Sequence, residues 1–373
     1  MNINDKKIIN ILLENYNNLT WTDVNALIDG LSDTIKPYIY QSIIDNPTPK
    51  IKSRLRELLS KIEKKKKKKI KKEHQYKCCH YNCTEPAIQS HVISKSAVLA
   101  PLANASNEMY YFASDINSNP AKCIFKERHI DYISSFPGYC GKHDRDIFRE
   151  LDEGSSINAK FVNLSVMRVL KKQIFDLRLE INLQNEQSDE WNDKCLERIN
   201  KQEDIDLIAL ENANEHYIKM NKKIKRMKND INRYESLYDK IFGGIDESTA
   251  LKFNIMKVKY VRSCFSIMID ARLEDGSAGE PHFVFYLPVN EHGYIIVAKD
   301  NSEKNYDPFV VDEDGALSIY FWMSALMKKE SLFFSEEMLS VFSNQQKNIL
   351  NTNYNYFDVT PLEAIMISQI YLD

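Results

Sequence analysis

The sequence predicts a multi-domain α+β protein, mainly helical through its N-terminal and middle regions, with a central metal-binding unit and a small C-terminal α+β domain. Three observations predict it. Apolar residues recur at helical spacing on either side of a stretch where the periodicity breaks; two tight Cys/His clusters fall inside that stretch; and the last third carries Val-, Ile-, Phe- and Tyr-rich runs separated by turn residues. With 373 residues, 43% apolar and 28% charged, the chain has room for about two or three domains with real cores.

Residues 1–76 read as a helical region ending in a Lys-rich arm. Ile8, Ile9, Leu12 and Leu13 lie at helical spacing. Thr20-Trp21-Thr22-Asp23 opens a second helix with a capping-box-like pattern, and Leu55, Leu58, Leu59 and Ile62 mark a third that runs into the lysines. Residues 77–156 hold the Cys/His clusters. Residues 157–244 read as a helical hairpin. Phe161, Leu164, Met167, Leu170, Ile174 and Leu177 share one helix face, the polar stretch Gln184–Asp193 is expected to be a turn or a mobile connection, and a second helix runs from about Glu203 to Ile241. Its Met220, Ile224, Met227, Ile231, Tyr234, Tyr238 and Ile241 alternate four and three apart, as a coiled-coil-like seam does, and Gly243-Gly244 ends it. Residues 245–373 form the α+β domain: strands over Ile255–Ile269 and His282–Val297, a hairpin turn at Asn290-Glu291-His292-Gly293, then helices over Ala316–Lys328 and Glu336–Leu350.

The first cluster reads Cys78-Cys79-His80-Tyr81-Asn82-Cys83 and the second Tyr139-Cys140-Gly141-Lys142-His143-Asp144. Two thiols close in sequence and a Cys-x-x-His pair far downstream are how a chain supplies four tetrahedral ligands to zinc. Cys78, Cys83, Cys140 and His143 are the ligand set; Cys79 in place of Cys78 satisfies the same spacing. The start of the chain lacks an apolar export segment and no long apolar span is present, so a cytoplasmic protein with reduced thiols is expected. A disulfide framework does not suit seven cysteines there. Cys123, Cys195 and Cys264 stand apart and read as ordinary thiols.

Around these ligands lie Ala87-Ile88, Ser90-His91, Ile93, Lys95, Phe136, Gly138-Tyr139, Asp144 and Phe148. Over about residues 77–150 this arrangement resembles bacterial zinc-binding proteins of treble-clef, HNH-nuclease-like type. The resemblance implies a ββα unit, a structural Zn²⁺, and a metal-dependent nuclease acting on DNA or RNA in bacterial anti-phage defence. By it, His91 is the general base, Asp144 a ligand to a catalytic Mg²⁺ or Mn²⁺, and Lys95 a phosphate contact. The sequence departs from the pattern at Ser90, where an acidic residue or histidine is usual, and in lacking an evident middle asparagine, for which Asn107, Asn117 and Asn119 are the candidates. The competing expectation is a non-catalytic zinc-finger protein that binds nucleic acid or a partner protein as a sensor or adaptor.

Lys64, Lys65, Lys66, Lys67, Lys68, Lys69, Lys71 and Lys72 crowd next to the first cluster although the whole chain carries a net charge of only −3. A run of that density suits a phosphate backbone. A second basic stretch, Lys219 to Lys228, reads as a solvated helix face. Nucleic acid is therefore the expected partner and a membrane is not; a protein encoded in the same operon and further copies of the chain are admitted. The chain has no phosphate-binding glycine loop, dinucleotide turn or nucleophile elbow.

Overall fold

The computed structural model describes residues 8, 11–12, 21–31, 76–115, 122–154, 156–200, 207–246, 250–272, 278–301, 331–351 and 366–367. The chain divides into two compact units, Met1–Lys69 with Ser114–Ile124, and Ile70–Ala113 with Phe125–Asp373. In the first, α1 (Trp21–Asp29) starts where the capping pattern puts it and buries Val24 and Ile28. The expected helix at Leu55–Ile62, the lysines from Lys64 to Lys72 and the expected helix at Ala316–Lys328 lie outside the described residues.

In the second unit a short strand, β1 (Gln89–His91), pairs antiparallel with β4 (Ser135–Pro137), Ser90 standing opposite Phe136. Between them the chain makes a wide helical turn over Lys95–Leu99, one α-helical turn, α2 (Ala100–Leu102), strands β2 (Glu108–Asp115) and β3 (Lys122–His129), and a tight helical turn over Ile130–Tyr132. Helix α3 (Gly141–Glu153) follows β4, and Gly154 ends it in the left-handed conformation, φ 62°. Two long helices come next, α4 (Ala159–Asn200) and α5 (Leu207–Gly243). Their partners run in opposite order, Lys171 over the Tyr238 ring and Arg178 on Glu235, so the pair is antiparallel. Ile224, Met227, Ile231, Tyr234, Tyr238 and Ile241 of the α5 seam are all buried.

The expected turn over Gln184–Asp193 is instead helix, part of the unbroken 42 residues of α4. The stretch is polar but holds neither Gly nor Pro, and Gln and Glu are good helix formers. Its polarity does not mark a chain reversal.

The sheet has seven strands in the order β3-β2-β9-β6-β7-β8-β5, built with β5 (Leu251–Val258), β6 (Ser263–Arg272), β7 (Ala278–Val289), β8 (His292–Asp300) and β9 (Leu332–Phe334). The register is antiparallel from β2 through β9, β6, β7 and β8 to β5. On β7, Phe283, Val284, Phe285, Tyr286 and Leu287 are all buried, which requires cover on both faces of the sheet. The two-residue reversal at Asn290 and Glu291 has φ 49° and 64°, the two left-handed residues of a type I′ hairpin. After β9 the chain forms α6 (Glu336–Val341), capped by Ser335 Oγ on the Met338 N–H, and α7 (Asn344–Asn351); the single helix expected there is broken at Phe342 and Ser343. One buried apolar cluster runs from Cys78 and Phe136 through α3, α4 and α5 to Phe283, Ile296 and Phe333 of the sheet. No helix among the described residues is long and apolar enough to cross a membrane.

Gly293 packs against the close of this sheet. A β-carbon there would lie 2.2 Å from the Lys259 carbonyl oxygen and 2.6 Å from the Tyr286 hydroxyl, which itself accepts from the Val261 N–H at 2.7 Å. The backbone oxygen cannot step aside. Gly293→Ala is therefore expected to destabilise the fold by about 3 kcal/mol, the upper part of the overpacking range. A urea midpoint lowered at constant slope would report it, and an unmoved midpoint would refute it.

Candidate metal centre and adjoining cleft

The two Cys/His clusters meet. The Sγ atoms of Cys78, Cys83 and Cys140 and a ring nitrogen of His143 all lie within 4.8 Å of one another. Cys78 Sγ and Cys140 Sγ are 3.4 and 3.3 Å from His143 Nδ1, and Cys83 Sγ is 3.9 Å from Cys140 Sγ. With metal–ligand bonds of about 2.3 Å to sulfur and about 2.0 Å to nitrogen, the edges of a zinc tetrahedron are about 3.8 Å for S···S and about 3.5 Å for S···N. Three thiols and one imidazole at these separations fit zinc.

Local structure explains the convergence. The first pair sits on a turn in which the Cys83 N–H reaches the His80 carbonyl and Asn82 takes φ 54°. The His80 N–H points at Cys78 Sγ, 3.5 Å away, as backbone amides do toward thiolates. Cys79 faces elsewhere. It lies outside the four-donor group, with Lys171, Arg178 and Glu235 as its charged neighbours, so the thiol that joins the group is that of Cys78. Cys140 is the N-cap of α3, and His143 lies in the first turn. Burial pushes the Cys78 thiol up to about 11, whereas the His143 backbone N–H pulls Cys140 down. The Cys79 N–H bonds the Gly138 carbonyl, and Gly138 must be glycine because a β-carbon would meet the Phe136 ring at 2.8 Å.

Beside the metal site lies an open cleft of about 780 Å³, lined by Gln89, His91, Lys95, Ser96, Ala100, Asp131, Tyr132, Asp144, Asp152 and Arg168. His91 and Asp144, singled out from the sequence, both line it. Alternation along β1 puts Gln89 and His91 on the cleft side and turns Ser90 inward, where its fully buried Oγ accepts from the Tyr139 N–H at 3.1 Å. Ser90 therefore belongs to the packing and not to the cleft wall.

His91 Nε2 lies 3.1 Å from the Ile130 carbonyl oxygen. That oxygen only accepts, so Nε2 donates, and in the neutral ring Nδ1 keeps the lone pair. Burial lowers the His91 pKa, which holds the ring neutral around pH 7. Asp144 presents Oδ2 3.7 Å from Arg168, and its buried Oδ1 has no hydrogen-bond partner. Lys95 ion-pairs with Asp131 at 2.5 Å, and this partner holds the Asp131 carboxyl below the usual range. Tyr132 is 62% exposed at the cleft.

Asn107 is not among the residues lining the cleft. It takes φ 58° in the turn before β2, its carbonyl receiving the Ile130 N–H; Asn117 and Asn119 lie outside the described residues. Sequence reasoning missed Gln89, Asp131, Tyr132, Asp152 and Arg168. Two signals were present: Asp144, Phe148 and Asp152 recur every fourth residue on α3, and Arg168 occupies a core position, four after Leu164, in the apolar stripe of α4. Comparison of the chain with protein-family models, with curated proteins and with solved structures finds no match among them.

Proposed function

We propose that the chain is a metal-dependent phosphodiesterase acting on nucleic acid, an HNH-like nuclease in which zinc fastens the β1–β4 ribbon to α3 in treble-clef fashion. One observation carries the reading: His91, with its lone pair on Nδ1, and Asp144 line one open cleft beside the four-donor site.

The chemistry follows from the residues. His91 takes a proton from water at Nδ1 while the Ile130 carbonyl holds the ring through Nε2–H; the oxygen so freed attacks phosphorus, the bond to the leaving oxygen breaks, and that oxygen takes a proton from solvent water, giving a phosphate monoester and an alcohol, while His91 returns its proton to solvent. Asp144 suits Mg²⁺ or Mn²⁺ because a hard cation takes oxygen ligands. Such an ion, when bound, neutralises charge at the scissile phosphate. Lys95 stands where a backbone phosphate can displace its exposed partner Asp131, and Tyr132 offers an aromatic face to a base. Purified chain, loaded with zinc, is expected to cut plasmid, single-stranded DNA or RNA when Mg²⁺ or Mn²⁺ is added and not when it is chelated. Intact substrates across all three, under every divalent ion tried, would sink the reading.

A further inference from the structure

Arg168 is 1% exposed, yet it belongs to the wall of the cleft. Its fork is bidentate on Asp152, Nη1 to Oδ1 and Nη2 to Oδ2, both 2.8 Å, and its guanidinium lies over the Phe148 ring at 4.3 Å. Nη2 also stands 3.7 Å from Asp144 Oδ2, too long for a hydrogen bond. Asp144, Phe148 and Asp152 form one stripe on α3, so a single side chain from α4 grips three consecutive turns of the neighbouring helix.

A buried ion pair is a poor way to glue two helices, since desolvating both charges offsets most of their attraction and apolar residues would serve as well. The arrangement has a different consequence. By committing the fork to Asp152, Arg168 satisfies its own charge and leaves Asp144 held by Coulomb attraction alone. Neither Asp144 oxygen is consumed by a guanidinium hydrogen bond, and the Arg168 cation stacked on Phe148 stands 3.7 Å from Oδ2.

We propose that Arg168 is a positioning residue that, through Asp152 and Phe148, fixes the Asp144 carboxylate for a divalent cation in the cleft. The inference rests on the reading of Asp144 as a cation ligand. Arg168 itself, being buried, does not touch substrate.

The test is Mn²⁺ binding to the zinc-loaded full chain, followed by electron paramagnetic resonance and kept separate from any cleavage assay. Arg168→Lys keeps the charge but loses the fork and the stacking, and is expected to weaken Mn²⁺ binding by about 10- to 100-fold, as loss of an outer partner of a metal ligand does, while zinc content stays at the wild-type level and the chain remains folded. Asp152→Asn is the second variant and decides the matter if Arg168→Lys loses zinc: it frees the fork to close on Asp144 and is expected to weaken Mn²⁺ binding to a similar extent. Unchanged Mn²⁺ affinity in the folded variants would overturn the assignment. So would a wild-type chain that binds no more Mn²⁺ than Asp144→Asn. A wild-type chain that binds Mn²⁺ but cuts nothing would support Arg168 as positioning residue and reject the nuclease.

Discussion

Cys140→Ser, or stripping the metal with a strong chelator, is expected to collapse the Cys78–Cys83 turn, the β1–β4 ribbon and the start of α3, and to release the zinc. The four donors tie residues 65 apart in sequence, Cys78 and His143, across a ribbon of two three-residue strands. Strands that short supply few hydrogen bonds, so the metal is the principal fastening of the ribbon to α3. Structural zinc in small peptides supplies about 10–16 kcal/mol of apparent binding free energy at neutral pH. Here the Phe136, Tyr139 and Phe148 core, with the Tyr139 hydroxyl on that of Tyr238 at 3.0 Å, retains part of the structure without it. The net loss expected is on the order of 5 kcal/mol, enough to unfold this region while α4, α5 and the sheet persist. Zinc analysis and a two-step melting curve report it. Cys79→Ser is the contrast: its thiol lies outside the cluster, so zinc content should be unchanged. A Cys140→Ser protein with full zinc and an unchanged melt would refute the site.

The four-donor Cys/His group was legible because the signal is local: paired spacing at both ends requires only a turn and a helix start. The choice between Cys78 and Cys79 was not, because neighbouring residues face opposite ways and only the turn at Asn82 and the bond from the Cys79 N–H to Gly138 decide which thiol looks inward. The β7 and β8 runs and their Asn290-Glu291 reversal were equally local. The joining of the central segment to the C-terminal strands was hidden. It depends on β9, three residues long, standing between β2 and β6, with Phe334 opposite both Tyr110 and Ser263. Pairing at such sequence separation leaves no periodic trace. The cleft was half visible. His91 and Asp144 came from their place beside the metal ligands, whereas Arg168 hides as one charge in an apolar helical stripe, and Asp131 and Tyr132 sit on a turn whose position only the fold sets.

His91→Ala carries the second large effect. His91 stands on β1, eight residues after Cys83, so its loss should leave the four donors untouched. A general base contributes about 10²- to 10⁴-fold to rate. Burial favours the neutral, proton-accepting ring and outweighs the Ile130 hydrogen bond, which acts the other way, so the acid limb of the pH–rate profile is expected below the ordinary histidine value of 6.5. The direct measurement is single-turnover cleavage of a nucleic-acid substrate in Mn²⁺ by wild-type and His91→Ala protein, with zinc assayed in the same samples. The account predicts equal zinc and a rate at least about 100-fold lower in the variant. Equal zinc with equal cutting rates would contradict it.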